Sequence, residues 1–522
     1  MPASNAQSNQ SPHPAGDGSV PLHRRRSVQA AALCLAVFGM AAAVAVHIFE
    51  AMPHLEDEHA NLFQAMVFAR GELAAPAPPN KDSFFIPFVV IRNGIAFAKY
   101  TPGYPLVLAL GVLAGAPWIV NALASALALF GTFLLGRDLF DADAGLLAAA
   151  LGAVSPAFVI LSGSLLPHPV CMAALVFFAW GFMRARRPGV FHATRFSLLA
   201  GLSLGLAVLV RPWTALAVAL PFIALAMFDF TRAVRTGRSA LRPYVGIYLP
   251  LVLSCVALCA LLPLYNYAVT GSPLTNTYTL WWPYDTIGFG PDFGRLGGHT
   301  PALALLNATL DLSAFQTAVT GWPAPLGFPL VILPLIFGLL LAPRKAHDAF
   351  LLLPPLFLIA AHLAYWARAG PFFGARYYSE GMPFLWLLAA RGLLKFSAGT
   401  VRLQLVRLAL PALLAWNLAA QIQPRLAEGR GLYDISRRDP AFAAAAGLRG
   451  ALVFVRIRKW TEYATFSWLN SPFLDGDVIF VRDMGGVVNA EIIRNFPGRD
   501  VYVYDGNQPG SPLTVYETIL PP

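Results

Sequence analysis

The sequence predicts an all-α, polytopic membrane protein with a small C-terminal soluble α/β domain, and three observations lead there. Of 522 residues, 57% are hydrophobic and 12% charged, with a mean hydropathy of +0.59; an ordinary soluble domain is about 25% charged. Apolar runs long enough for a hydrocarbon core of about 30 Å recur along most of the chain, separated by short basic or Pro/Gly-rich stretches. Beyond Ala420 the composition becomes that of a soluble domain, with strand-like runs at 451–455, 478–481 and 501–504 and a helix-compatible stretch at 487–495.

Taken in order, residues 1–27 form a polar, Ser- and Pro-rich tail that cannot bury enough apolar surface to order itself. Residues 28–420 make the membrane domain. At roughly 20 apolar residues per crossing, about eleven spans are expected. They fall at 28–49, 118–135, 144–161, 169–183, 196–210, 213–228, 244–264, 324–341, 349–365, 378–390 and 403–419. Residues 104–113 are apolar but too short to cross, which suits an interfacial or re-entrant helix. Residues 421–522 make the soluble domain.

Basic residues mark the cytoplasmic loops of a membrane protein. Here they collect in alternate loops: Arg24 to Arg26; Arg137; Arg184, Arg186, Arg187 and Arg195; Arg232, Arg235, Arg238 and Arg242; Arg344 and Lys345; Arg391, Lys395 and Arg402. That alternation predicts a plasma (inner) membrane protein with a cytoplasmic N-terminus and an extracytoplasmic C-terminal domain. The formal charge of +10 is thus an orientation signal, since it forms no aromatic-interleaved patch of the kind that binds nucleic acid. The four cysteines all lie in apolar runs, unsuited to disulfides or metal binding.

Two outer loops, 51–117 and 265–323, are long, aromatic and Pro/Gly-rich, and long structured loops usually carry function. The first opens with Glu56, Asp57 and Glu58 directly after the first span. Three adjacent carboxylates need solvent, a cation or a proton. They can cap a helix N-terminus, or supply a general base at the membrane surface. No metal site is assigned, although a divalent cation is compatible with the acidic cluster. The second loop combines Tyr265, Tyr278, Trp281, Trp282 and Tyr284, which suit an interfacial aromatic belt better than sugar stacking.

The order of motifs resembles the GT-C superfamily of membrane glycosyltransferases, especially protein O-mannosyltransferases and lipid A aminoarabinose transferases. The resemblance begins at Asp57-Glu58 and "HANLFQAMVFARGEL" and continues through "KYTPGYPLVLAL", "GLLAAALGAVSPAFVILSG" and "LLAGLSLGLAVLVRPWTAL" to "GARYYSEGMPFLWLLAARGL". It covers roughly residues 51–394. It implies a GT-C-like fold, and transfer of a sugar from a polyprenyl-phosphate donor to an envelope acceptor hydroxyl on a lipid, glycan or protein. Membrane lipids are the other expected partners. Asp57 and Glu58 become the expected catalytic residues, and Lys99, Tyr100, Arg211, Arg376 and Tyr377 the expected substrate-binding ones. Where the family often has an acid after its third span, this chain has "LLPHP", with His168.

A transporter or lipid flippase shares the many spans. Such proteins usually place ionisable residues near the midplane, whereas acids are nearly absent from the expected spans here and polar content gathers in the outer loops. A non-catalytic scaffold would need far fewer spans, since one already anchors a protein.

Overall fold

A computed structural model of the protein describes residues 22–187, 189–190, 192–295, 297–322, 346–370, 372–397, 400–437, 447–508 and 511–516. The expected span at 324–341 and the basic pair Arg344 and Lys345 lie outside these residues. Among the described residues, eight helices are long and apolar enough to cross a membrane, and a bent pair makes a ninth if counted as one span.

The chain starts with α1 (Leu22–His47) and the short α2 (Glu56–Ala69). A small sheet follows, β1 (Ala75–Pro76), β2 (Val89–Arg92) and β3 (Ile95–Ala98), antiparallel in the order β1-β3-β2. This sheet was not expected, although its signal is plain. Asn93 and Gly94 join β2 to β3 with φ of 50° and 78°, the two positive values of a two-residue hairpin turn, for which Asn-Gly is the favoured pair. The hairpin delivers the chain to Lys99 and Tyr100 and then to α3 (Gly103–Leu113), the short apolar helix.

The bundle continues with α4 (Ile119–Leu139), α5 (Ala142–Ala153), α6 (Pro156–Gly163), α7 (His168–Ala185), α8 (Ala193–Val210), α9 (Pro212–Thr236), α10 (Arg238–Cys259) and α11 (Leu261–Thr270). Small residues let these helices approach closely, as membrane helices do when no hydrophobic effect drives them together. A Cβ on Gly145 would stand 2.4 Å from the Phe133 carbonyl oxygen, so α5 lies directly against α4. The single span expected at 144–161 is instead α5 and α6, bent by 67°. Pro156 is the cause: it lacks an N–H and pushes Ser155 into extended backbone, with φ −71° and ψ 122°.

Residues 301–320, expected to be loop, form the membrane-capable helix α12 (Pro301–Thr320). Asp311, Asn307 and Gln316 dilute its hydropathy and hid it. Asp311 is compensated by Arg368, 3.2 Å away. The membrane part ends with α13 (Ala346–His362), α14 (Met382–Phe396) and α15 (Thr400–Asn417).

In the C-terminal segment, β4 (Ala451–Arg456), β5 (Val478–Arg482), β6 (Asp500–Asp505) and β7 (Thr514–Val515) pair in the order β5-β4-β6-β7. The first three overlap the expected runs and are parallel; the helices Trp460–Ser467 and Gly486–Asn495 connect them. This sheet grips the loop that follows α1. Phe84 of that loop joins the sheet's core beside Phe454, Ile479 and Val481, and Arg70 makes two hydrogen bonds to Asp475.

Candidate active site

The site begins with a division of labour in the acidic triplet. Glu58, 2% exposed, accepts backbone N–H groups from His54 at 2.7 Å and Leu55 at 3.1 Å with one oxygen, and from Leu165 at 2.7 Å with the other. It caps α2 and ties that helix to the turn between α6 and α7. Burial pushes its carboxyl above the ordinary range, and the three N–H donors oppose that rise. Adjacent helical residues point about 100° apart. Asp57 therefore faces elsewhere, into a cavity of about 980 Å³.

The Asp57 carboxylate is held by two partners from distant parts of the chain. Tyr100 donates its hydroxyl to Oδ1, and Arg376 donates from Nη2 to Oδ2 at 3.0 Å. Burial raises the carboxyl, but Arg376, the Tyr100 hydroxyl and Lys99 outweigh it, so Asp57 stays below its usual value and ionised. Arg376 sits where it does because Gly374 and Ala375, with φ of 64° and 56°, turn the chain sharply just before it. Gly374 is required there: a Cβ would stand 2.5 Å from that of Ala318. Nε and Nη1 of Arg376 are buried with no hydrogen-bond partner among the described residues.

A second cation, Lys99, follows β3. Its ammonium lies 2.8 Å from Asp285 and over the rings of Phe88 at 4.1 Å and Trp282 at 4.7 Å. Tyr365 and Trp366 also donate to Asp285, each at 3.2 Å. Thr277 donates to the Lys99 carbonyl at 2.6 Å, so the two long loops are laced together at the cavity wall.

The third cation comes from a helix break. Pro212 cannot continue α8 and disfavours helical backbone at Arg211, which takes φ −148° and ψ 83° and projects from the apex between α8 and α9. Arg211 Nη1 donates to Glu380 at 2.7 Å and contacts His168 Nδ1 at 2.5 Å. Its guanidinium lies 5.6 Å from the centre of the Tyr377 ring.

Of the residues expected from sequence, Asp57, Lys99, Tyr100, Arg211, Arg376 and Tyr377 all line this one cavity, whereas Glu58 is buried behind it. Of the other cations expected on the outer face, Arg368 lines the cavity, and Arg92 lies on the exposed end of β2. The aromatic loop turns inward: Tyr278 and Trp282 wall the cavity, and Trp281 packs edge-on against Phe88. Asp285, Glu380 and Arg295 escaped sequence reading. Arg295 lines the cavity, lying 4.4 Å from the Trp282 ring centre. Among the described residues, no three His, Cys, Asp or Glu side chains converge as metal ligands.

Compared with known proteins, the sequence matches no family model and no curated protein. Solved structures do match. ArnT from Cupriavidus metallidurans bound to undecaprenyl phosphate superposes with a TM-score of 0.56 at 13% identity, over 92% of this chain and 89% of that one. The apo state of the same ArnT gives 0.56 at 12% identity, over 91% of this chain and 92% of the other. The chain therefore carries the same fold as ArnT, which is a lipid A aminoarabinose transferase and a GT-C glycosyltransferase.

Proposed function

We propose that this protein transfers a sugar from a polyprenyl-phosphate carrier to an envelope acceptor hydroxyl, at the outer face of the plasma membrane. The observation that carries the reading is the pairing of an ionised Asp57 with an Arg376 whose Nε and Nη1 have no partner among the described residues, side by side in one cavity. A guanidinium with free N–H groups suits a phosphate, which it can hold through two parallel hydrogen bonds. The fold it shares with ArnT, solved with undecaprenyl phosphate, agrees with that ligand class.

In this reading the carrier phosphate lies among Lys99, Arg211 and Arg376. Val210, Pro212, Trp213, Leu216 and Leu303 continue the cavity wall as an apolar surface suited to the prenyl chain. Asp57 takes the proton of the acceptor hydroxyl as that oxygen bonds to the anomeric carbon. The bond from that carbon to the phosphate oxygen breaks, and its electron pair leaves on polyprenyl phosphate. The departing charge is stabilised by cations already in place. One displacement without a covalent intermediate inverts the anomeric centre. Binding of the phosphate to Arg376 loosens its hold on Asp57, which makes the carboxylate more basic when the donor is present. Glu58 acts as a positioning residue.

The orientation rests on helix ends. His168 and Arg211 face the cavity at the N-terminus of α7 and the C-terminus of α8, whereas the basic residues Arg184 and Arg195 sit at the opposite ends of those helices. Basic ends are cytoplasmic by the positive-inside rule, so the cavity opens outward, and residues 421–522 form an extracytoplasmic domain beside it. The test is to incubate purified protein with labelled polyprenyl-phosphate sugars and envelope acceptors. Transfer of label with release of polyprenyl phosphate is expected; no transfer from any such donor with any acceptor pool would overturn the reading.

A further inference from the structure

His168 lines the cavity at the N-terminus of α7, held between Pro167 and Pro169, and is 3% exposed. Its Nδ1 lies 2.5 Å from Arg211 Nη1, 3.2 Å from Glu380 Oε1 and 3.3 Å from Ser379 Oγ. An arginine guanidinium only donates. The two contacts compete: a Nδ1–H would serve Glu380 but would set two N–H groups against each other at Arg211, and the shorter Arg211 contact favours a lone pair on Nδ1, with Arg211 lying between the imidazole and the carboxylate. The two hydrogens of Arg211 Nη1 are thereby used, one on Glu380 and one on His168. Ser379 gives its hydrogen to the Arg376 carbonyl at 2.7 Å or to Glu380 Oε2 at 3.1 Å. The imidazole proton is left on Nε2, which has no hydrogen-bond partner among the described residues and belongs to a cavity-lining side chain.

We propose that His168 is a ligand-binding residue, fixed by Arg211 as its Nε2–H tautomer so that a neutral N–H donor faces the cavity and bonds an oxygen of the carrier phosphate. The assignment rests on the glycosyltransferase reading for the identity of the ligand, and on local geometry alone for the tautomer. The chemistry suits the place. A further cation beside Arg211 would have to be desolvated and would repel it, whereas a neutral donor adds a hydrogen bond without charge. Glu380 completes the device, since it holds Arg211 in the orientation that holds His168.

Two measurements on the full-length protein test this. Nitrogen NMR of histidine-labelled protein, with the His168 signals identified by their loss in His168→Phe, should give the Nε2–H tautomer; the Nδ1–H tautomer would overturn the proposal whatever the lipid does. Binding of undecaprenyl phosphate is then compared among wild type, His168→Gln, His168→Asn and His168→Phe, each with its melting temperature recorded. Gln carries an amide N–H near the Nε2 position, while Asn keeps a polar atom only near Nδ1, where Arg211 needs an acceptor. Binding by the Gln variant should stay within about threefold of wild type, and the Asn and Phe variants should lose about tenfold or more, as for a hydrogen bond to a charged group. An Asn variant that melts and binds like wild type would leave His168 only a support for Arg211, against the proposal. Wild type that binds no undecaprenyl phosphate would sink the functional reading and the ligand assigned here, a failure distinct from wild-type binding that the Asn variant matches.

Discussion

Arg376 reaches across 319 residues of sequence to donate from Nη2 to the Asp57 Oδ2 at 3.0 Å, while its Nε and Nη1 remain without partners among the described residues. A buried guanidinium that serves only structure would normally have its N–H groups satisfied, because an unmade hydrogen bond to a charged group costs a few kcal/mol. The place of Arg376 beside an ionised Asp57 in the cavity, with those N–H groups unmet, is what the anion reading rests on.

Replacing Arg376 should follow from that geometry. Arg376→Ala removes charge and fork together, whereas Arg376→Lys keeps the charge and loses only the paired hydrogen bonds. Donor affinity should fall most in the Ala variant and less in the Lys variant, read as KM for the lipid-phosphate sugar and as direct binding of undecaprenyl phosphate. Wild-type behaviour of both variants would assign Arg376 to a role away from the phosphate.

The Lys99–Asp285 pair makes a prediction about stability. Both side chains are almost fully buried, at 4% and 1% exposure, and the ion pair is 2.8 Å long. Removing one partner strands a buried charge, which costs about 3–5 kcal/mol, whereas replacing both by uncharged residues is close to neutral. Lys99→Met and Asp285→Asn should each lower the melting temperature more than the double variant does. Additive losses in the double variant would mean that the pair does not act as a unit. The double variant should also bind the donor more weakly than wild type, since Lys99 lines the cavity.

Topology is checked by reporters. An enzyme active only outside the cytoplasm should work when fused after Ala420, and one active only inside should work after Arg238, following the alternation of basic loops. A cytoplasmic Ala420 fusion would put residues 421–522 on the wrong side for the proposed site.

Much of the fold and site was legible because its signals are local. Pro212 announced the helix break that frees Arg211, and an acid cluster directly after the first span drew attention to Asp57; Pro156 carried an equally local signal for the bend between α5 and α6, although one span was expected there. Asn93-Gly94, between Val89–Arg92 and Ile95–Ala98, carried a hairpin signal just as local. What stayed hidden is long-range. Nothing near Lys99 points to Asp285, 186 residues away, or near Arg211 to Glu380, 169 residues away. Their pairing is a product of packing. The helix α12 was missed for a related reason: Asp311 reads as loop until Arg368 is seen beside it. The resemblance favours Asp57 over Glu58 as the base, but the residues alone do not separate them, because neighbours in sequence diverge only once the helix that carries them is docked.

That divergence gives the sharpest test of the mechanism. Asp57→Asn keeps the shape of the side chain and removes the basic oxygen, so turnover should fall by a factor of about 100 to 10,000 while donor binding changes far less. Glu58→Gln puts an amide N–H where a carboxylate oxygen now accepts backbone N–H groups, and should act first on stability, lowering it by about 1–3 kcal/mol. The Asp57 carboxyl titrates below its ordinary value in the folded protein because burial, which raises it, is outweighed by Arg376, Tyr100 and Lys99. A group depressed in this way contributes stability that is fully present above the unfolded value of about 3.9 and is lost as pH falls through the lower folded value. At neutral pH, Asp57→Asn leaves Arg376 without its counter-charge and should melt below wild type; the gap should start to narrow as pH drops below about 3.9 and close only below the lower folded value, where folded wild type itself becomes protonated. Kinetics at neutral pH and melting curves across acid pH check both halves. An Asp57→Asn protein that folds and transfers sugar at the wild-type rate would remove Asp57 from the chemistry, and an inactive yet fully stable Glu58→Gln protein would move the base one residue along.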